Sequence, residues 1–274
     1  MISGYIDRLK KRYRYSLVLL RELVRTDFKL RYQDSVLGYM WSLLKPLFMF
    51  LVLYVIFVRF LKIGSNIENW PVALFLGLVL WEFFSEVTKY GLKAIVNKRG
   101  IIRKINFSKF IIMIASSMSA FINLLLNMIV VAVFIIFSDV TVTWSILLVP
   151  FFVLQLYAFA LGVSLILATI YVKARDIDFI WEIVMRAGFY ASAVMFPMTR
   201  ILDVSELMGK LLLLNPVAQT MQDTRHALVE NIPSSSELFG NTLLAATPII
   251  LSFVIFFIGA IYFKKRAPMF AEEV

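Results

Sequence analysis

The chain has no cysteine and only one histidine, His226. Those shortages exclude a disulfide framework, a Cys-based metal centre, a thiol nucleophile and H-E-x-x-H zinc chemistry, and leave one residue for any Ser/His pair. His226 lies beside Arg225 and Asp223 and reads as an interfacial polar group. None of the eleven glycines opens a G-x-x-x-x-G-K-[ST] pattern, so the chain has no phosphate-binding P-loop with which to hydrolyse ATP. Charge is also scarce. Only 17% of the 274 residues are Asp, Glu, Lys or Arg against 61% hydrophobic, and a mean hydropathy of +0.83 lies outside the range of an ordinary cytosolic enzyme. The segment Met1 to Arg14 is basic but lacks an apolar run ending in small residues, so a cleavable signal peptide is not expected.

Apolar length is what the chain has in abundance. A helix needs about 20 apolar residues to cross about 30 Å of hydrocarbon, and six stretches meet that need, near 39–60, 72–90, 110–137, 144–172, 179–196 and 243–263. The expected fold is therefore an all-α integral membrane domain over 37–274, preceded by an N-terminal segment over 1–36. Twenty bases fall before the first span, in the second and fourth connections and in the tail, while the opposite connections hold only Arg59, Lys62, Arg200, Lys210 and Arg225. By the positive-inside rule both termini are cytoplasmic. These bases hug span ends and no recognition motif accompanies them, so they read as membrane-facing charge rather than a nucleic-acid surface.

The connections carry their own patterns. Leu17, Leu20, Val24 and Phe28 recur at helical spacing, with Arg21, Arg25, Lys29 and Arg31 interleaved, which predicts a basic amphipathic helix in the inner interface. It reads as an anchor or as a collar that also touches a partner. The second connection, KAIVNKRGIIRKINFSK, has no acid, and Gly100 breaks it so that IIRKINF can form a short helix. It is either a solvated basic loop or a docking element. The stretch Pro197 to Asn241 is too apolar for a hydrated loop, and two short segments around Asn215-Pro216 predict a re-entrant hairpin in the outer leaflet or two helices flat upon it.

Charges inside spans are functional candidates because lipid makes them costly. Glu82 and Glu86 are i,i+4 in the second span and must look into protein or water; packing on a polar helix face or pairing with a base on another span is favoured over a proton relay. Glu182 and Arg186, i,i+4 in the fifth span, can neutralise each other. Lys45 precedes Pro46 early in the first span, and Asn123 and Asn127 can hydrogen-bond across helices. Tyr54, Phe57, Phe83, Phe84, Phe189 and Tyr190 serve packing or, alternatively, line a path on which sugar rings could slide.

Four local patterns give this order of features a family. DFKLRYQDSVLGYMWSLLKPL, Asp27 to Leu47, with Arg31-Tyr32, Leu37-Gly38, Trp41 and Pro46, resembles the interface helix and first span of the membrane subunits of type 2 ABC exporters that move O-antigen, capsule or teichoic acid. GLVLWEFFSE, Gly77 to Glu86, is similar to that family's Trp-x-Phe-Phe pattern; Lys173-Ala174-Arg175-Asp176 carries its Arg-Asp, and Asn215-Pro216 with Arg225 its Asn-Pro and following Arg. Where the family commonly has a proline after the phenylalanine of the basic segment, this chain has Ser108 after Phe107. The resemblance implies half of a homodimeric pore in the bacterial cytoplasmic membrane. Two copies of an ATP-binding subunit, which hold ATP and Mg so that this chain binds no cofactor, would dock on Lys98, Arg99, Gly100, Arg103, Lys104 and Phe107 and on a collar of Arg25, Lys29 and Arg31. A lipid-linked glycan would enter from the inner leaflet and pass between the first and fifth spans of opposite protomers, along Tyr54, Phe57, Phe189 and Tyr190. Other readings are a permease for a smaller amphiphile, a membrane scaffold of polymer synthesis, and an intramembrane glycosyltransferase using Glu82 and Glu86, whose adjacent turns place both acids on one side of any substrate.

Overall fold

The computed structural model of the chain describes residues 15–27, 29, 37–64, 67–105, 107–138, 140, 143–229 and 231–273. Among them every regular element is helical. A helix over 15–27 (α1) is followed by α2 (Trp41–Leu53), which continues into a π-helical stretch, Tyr54–Phe60. Next come α3 (Trp70–Asn97), α4 (Arg99–Lys104), α5 (Phe110–Phe137) and α6 (Val149–Lys173), the last entered through a 3-10 turn, Trp144–Leu148. The chain then forms α7 (Ile177–Ala191), α8 (Met198–Val204), α9 (Glu206–Leu213), α10 (Pro216–Leu228), α11 (Ser235–Phe239), α12 (Thr242–Arg266) and α13 (Phe270–Glu273).

Five helices are long and apolar enough to cross a membrane: Gly38–Phe60, Trp70–Asn97, Phe110–Phe137, Trp144–Lys173 and Thr242–Met269. They coincide with five of the expected spans, although α3 runs on to Asn97, beyond the expected end at 90. The expected 179–196 span differs. Its helix, α7, has 15 residues and stops at Ala191, and Ala193 takes a left-handed φ of 51° that ends helical continuation. Apolar composition carries on to Phe196, but the backbone is spent on a turn.

α3 is the central post. In its most apolar window 83% of residues are buried, against 11% for Gly38–Phe60 and 22% for Thr242–Met269, so α2 and α12 lie at the periphery. α3 packs on α5 and α6, and α12 packs along α6. The α6–α12 approach is close because it is made at small residues: a Cβ on Gly162 would lie 2.6 Å from the Phe256 Cα, and Gly259 faces the Gly162 backbone. With no hydrophobic drive between helices in lipid, such close van der Waals contact is what holds them.

One end of the bundle gathers the basic segments. Asp27 of α1 pairs with Lys98 at the start of α4, α13 packs on α4, and Glu273 pairs with Lys173 at the end of α6, 3.0 Å apart. In α1 the inward residue is Leu23, 5% exposed, with Leu19, Leu20 and Val24 beside it. Leu17 is 61% exposed, so the buried stripe shares Leu20 and Val24 with the expected one but not Leu17; Phe28 lies outside the described residues.

At the opposite end α8 to α11 form a cap. Asn215 accepts from the Val217 amide at 3.0 Å and Pro216 occupies the first turn of α10, which explains why that helix begins there. α9 exposes Leu207, Met208 and Leu211, whereas α10 is buried from Pro216 through Arg225. Gly162→Leu is expected to push α6 from α12, an overpacking cost of about 1–3 kcal/mol, and to lower the melting temperature of the detergent-extracted chain. Gly100→Ala, where nothing lies within 4 Å of an added Cβ, is the control expected to melt unchanged.

Candidate functional site

α3 carries a polar strip on one face, Glu82, Glu86, Lys89 and Lys93, at three- and four-residue spacing. Three helices face it. From α2, Lys45 pairs with Glu82. From α5, the Asn123 Nδ2 donates to Glu86 Oε2 at 2.9 Å, while Asn127 Nδ2 donates to the Asn123 carbonyl at 2.9 Å and the Ser42 carbonyl at 3.2 Å. From α7, Asp178 pairs with Lys93 at 2.7 Å. The strip thus lines a cleft of about 340 Å³ between α3 and α7, with Ser85, Tyr90, Trp181 and Glu182 in its walls. A smaller space of about 140 Å³ reaches in among α2, α3 and α5, and a mostly apolar one of about 470 Å³, walled by Met49, Val52, Trp81 and Phe189, continues away from the basic end.

Both deep acids therefore have partners, one a base on a neighbouring span and the other a polar helix face. Glu182 and Arg186 hydrogen-bond within α7 at 2.6 Å, on its exposed side. The four aromatics expected on the path do not form one line within the chain. Tyr54 and Phe57 sit in the π-helical stretch, where the wider turn re-aims side chains; Tyr54 meets Phe50 at 5.8 Å and Phe57 meets Phe196 edge-on at 5.8 Å. Phe189 meets Trp81 at 5.8 Å and Tyr190 at 5.4 Å. Tyr190 is 63% exposed on the outer side of α7.

At the basic end, α4 turns one side inward and one side out. Its single buried residue is Ile102, whereas Arg99, Gly100, Arg103 and Lys104 are exposed. Of the six residues expected to dock a partner, these four share an outward face. Lys98 is engaged by Asp27 and Phe107 is buried in the apolar cluster beneath, so those two support α4 rather than present themselves. Arg25 and Lys29 are exposed; Arg31 lies outside the described residues.

The residue that sequence patterning ranked low is Arg225. It is 1% exposed, with Nε donating to the Ala73 carbonyl at 3.0 Å, Nη1 to Ala193 at 3.1 Å and Nη2 to Val194 at 2.6 Å. Its guanidinium lies 5.1 Å from the Trp70 ring centre, and a Cβ on Gly77 would overlap it. Only the Asn-Pro-to-Arg spacing hinted at it. His226 donates from Nδ1 to the Ile232 carbonyl, 2.7 Å away, and Asp223 is taken by Gln219, at 2.5 Å, and by Ser235. Among the described residues no group of three His, Asp or Glu could hold a metal.

The ABC-2 type transporter profile matches residues 18–229. The chain belongs to the ABC-2 transporter membrane family. ABC-2 proteins similar to it include an O-antigen export system permease protein RfbA of Myxococcus xanthus, 29% identical over 98% of this chain and 100% of that protein. An RfbA of Klebsiella pneumoniae is 26% identical over 97% and 98%, and the polysialic acid transport protein KpsM of Escherichia coli is 23% identical over 77% and 81%. The profile covers α2 to α10 and so takes in both the cleft and Arg225.

Two outcomes test this geometry. Arg225→Lys keeps a charge but cannot reach three carbonyls, and each lost bond to a charged donor is worth about 1.5–3 kcal/mol; it should lower the melting temperature in detergent, and Gly77→Val should do the same. In the cleft, Lys45→Met should cost more than the double change Lys45→Met with Glu82→Gln, because the single change leaves one charge facing an apolar wall. A double-mutant cycle on thermal stability reads the difference.

Proposed function

We propose that this chain is the permease subunit of an ATP-driven exporter that moves lipid-linked polysaccharide, of the O-antigen, capsule or teichoic-acid kind, across the bacterial cytoplasmic membrane. The observation that carries the reading is the end-to-end match to permeases named for O-antigen export, joined to a fold that has a basic outward helix at one end and no P-loop of its own. ATP and Mg are then held by a separate ATP-binding subunit, two copies of which dock on Arg99, Gly100, Arg103 and Lys104, with Arg25, Lys29 and Arg31 as the collar.

In this reading the chain crosses the membrane six times. The shared position of α1 and the segment after α12 at the basic end supports an even number of crossings, and with five long spans the sixth passage is assigned to α7 and the turn after it. Both ends are cytoplasmic by the charge rule, and α9 with α10 forms the re-entrant hairpin of the outer side. α10 carries its polar residues into protein rather than lipid, the one setting in which they are tolerated at that depth.

Two copies of the chain form the conduit. The outward sides of α2 and α7 are uncovered and rich in apolar side chains, with Phe48, Met49 and Val52 on one and Phe179, Ile183 and Tyr190, beside the Glu182–Arg186 pair, on the other. Setting α2 of one protomer against α7 of the other would bring Tyr54 and Phe57 toward Phe189 and Tyr190, an aromatic wall of the kind on which sugar rings pack. The lipid phosphate would enter at the basic end, where Lys89 is exposed beside the cleft.

Replacing Arg99, Arg103 and Lys104 together by Glu is expected to weaken co-purification of the ATP-binding subunit about tenfold or more, because opposing like charges costs several kcal/mol, and to leave membrane insertion intact. Unchanged stimulation of ATPase activity in that variant would contradict the docking assignment.

A further inference from the structure

A helix of six residues does not hold itself together, because nucleation costs more than so few hydrogen bonds return. α4 has no side-chain cap at its N-terminal end, so its position is set by what it rests on. Its anchors are Lys98, paired with Asp27 of α1, and Ile102, which is 4% exposed. Ile102 enters an apolar cluster with Leu23, Phe107, Phe263 and Phe270.

Phe270 reaches that cluster from the far end of the chain. After α12 a 3-10 turn, Ala267–Met269, carries the chain in helical geometry into α13, which packs against α4 and the end of α6. The Phe270 side chain is 1% exposed and meets Phe263 edge-on at 5.2 Å, and Phe263 in turn meets Phe110 of α5 at 4.9 Å. Glu273 ties the end of the segment to α6 through its ion pair with Lys173, 3.0 Å apart. One short segment thus touches α4 on one side and is fixed to α12 and α6 on the other, with α5 reached through Phe263.

We propose that 267–273 is a clip that positions α4, so that a force applied to its outward basic face is delivered to the spans instead of being absorbed by local rocking of a six-residue helix. Phe270 and the Lys173–Glu273 pair are positioning residues; they lie behind α4 and do not share its outward face. The inference rests on the reading of α4 as the docking element.

The absence of cysteine makes a site-specific test direct. A spin label on Lys104→Cys reports α4, and one on Leu207→Cys, exposed on α9, serves as the remote control. In the full chain Phe270→Ala should raise mobility at 104 and leave 207 unchanged. In the reconstituted complex of the unlabelled variant, stimulation of ATPase activity should fall about fivefold or more while the ATP-binding subunit still co-purifies. Phe270→Leu should restore most of the stimulation. Glu273→Lys, a surface change that spares the core if Phe270→Ala fails to fold, should uncouple in the same way, and adding Lys173→Glu should rescue it.

Unchanged mobility at 104 together with normal stimulation in Phe270→Ala and Glu273→Lys would overturn the clip. The two readings fail separately. If charge reversal of α4 abolishes stimulation while the clip variants keep it, the clip falls and the docking face stands. If charge reversal itself leaves stimulation normal, the docking reading falls and takes the clip's function with it.

Discussion

A guanidinium buried at 1% exposure is the constraint on which the arrangement of helices depends. Taking such an ion from water costs several kcal/mol even after relaxation, and among the described residues Arg225 has no carboxylate partner to offset it. Three backbone carbonyls do so instead, and they come from different places: Ala73 in the first turn of α3, and Ala193 and Val194 just past the end of α7. The Ala193 backbone adopts a left-handed φ of 51°, a conformation that costs about 1–2 kcal/mol for an L-residue, as part of the turn that presents those two carbonyls. Gly77 is a glycine because the guanidinium fills the place of its side chain. One side chain thereby fixes α10 to α3 and fixes the end of α7 to both.

This explains how α7 keeps its place although much of its surface is uncovered. Its first turn is held by Asp178 to Lys93, its middle lies against Trp81 through Gly188 and Phe189, and its end is tied through Arg225. Between those points runs the cleft. The charges along α3 are ordered by depth: Glu82 and Glu86, nearer the middle of the helix, are each engaged by a neighbouring helix, whereas Lys89 and Lys93 lie toward the basic end, where an ammonium can reach water or headgroups along its apolar stem.

Long-period features were legible in the sequence because they depend on local composition. Five apolar runs became five long helices, and the i,i+4 spacings of Glu82 with Glu86, Glu182 with Arg186 and Asn123 with Asn127 each put the two residues on one face. What hydropathy missed depends on partners far along the chain. The apolar look of the segment after Asn215-Pro216 says nothing of the partners that let the polar residues of α10 be buried: Gln219 finds Gln155, 64 residues away, at 2.6 Å, and Arg225 finds Ala73, 152 residues away. Phe107 reads as part of a basic connection, and its burial follows from α1, α12 and α13 converging on it. The length of α7 was overread because Ser192 to Phe196 is apolar enough for a span while the carbonyls there are needed elsewhere.

The same contacts divide the helices by stiffness. α3 has 28 residues with its only proline in the first turn, so it is a continuous rod of about 42 Å at 1.5 Å per residue. It joins α4 at one end and Arg225 at the other. α2 is interrupted by Pro46 and by seven π-helical residues, and α7 ends in a left-handed turn; breaks of these kinds are where helices bend. By this geometry a displacement applied at the basic end would pass along α3, which has no such break, toward the Arg225 cap, while α2 and α7, the two broken helices that face the polar strip, would be the walls to bend.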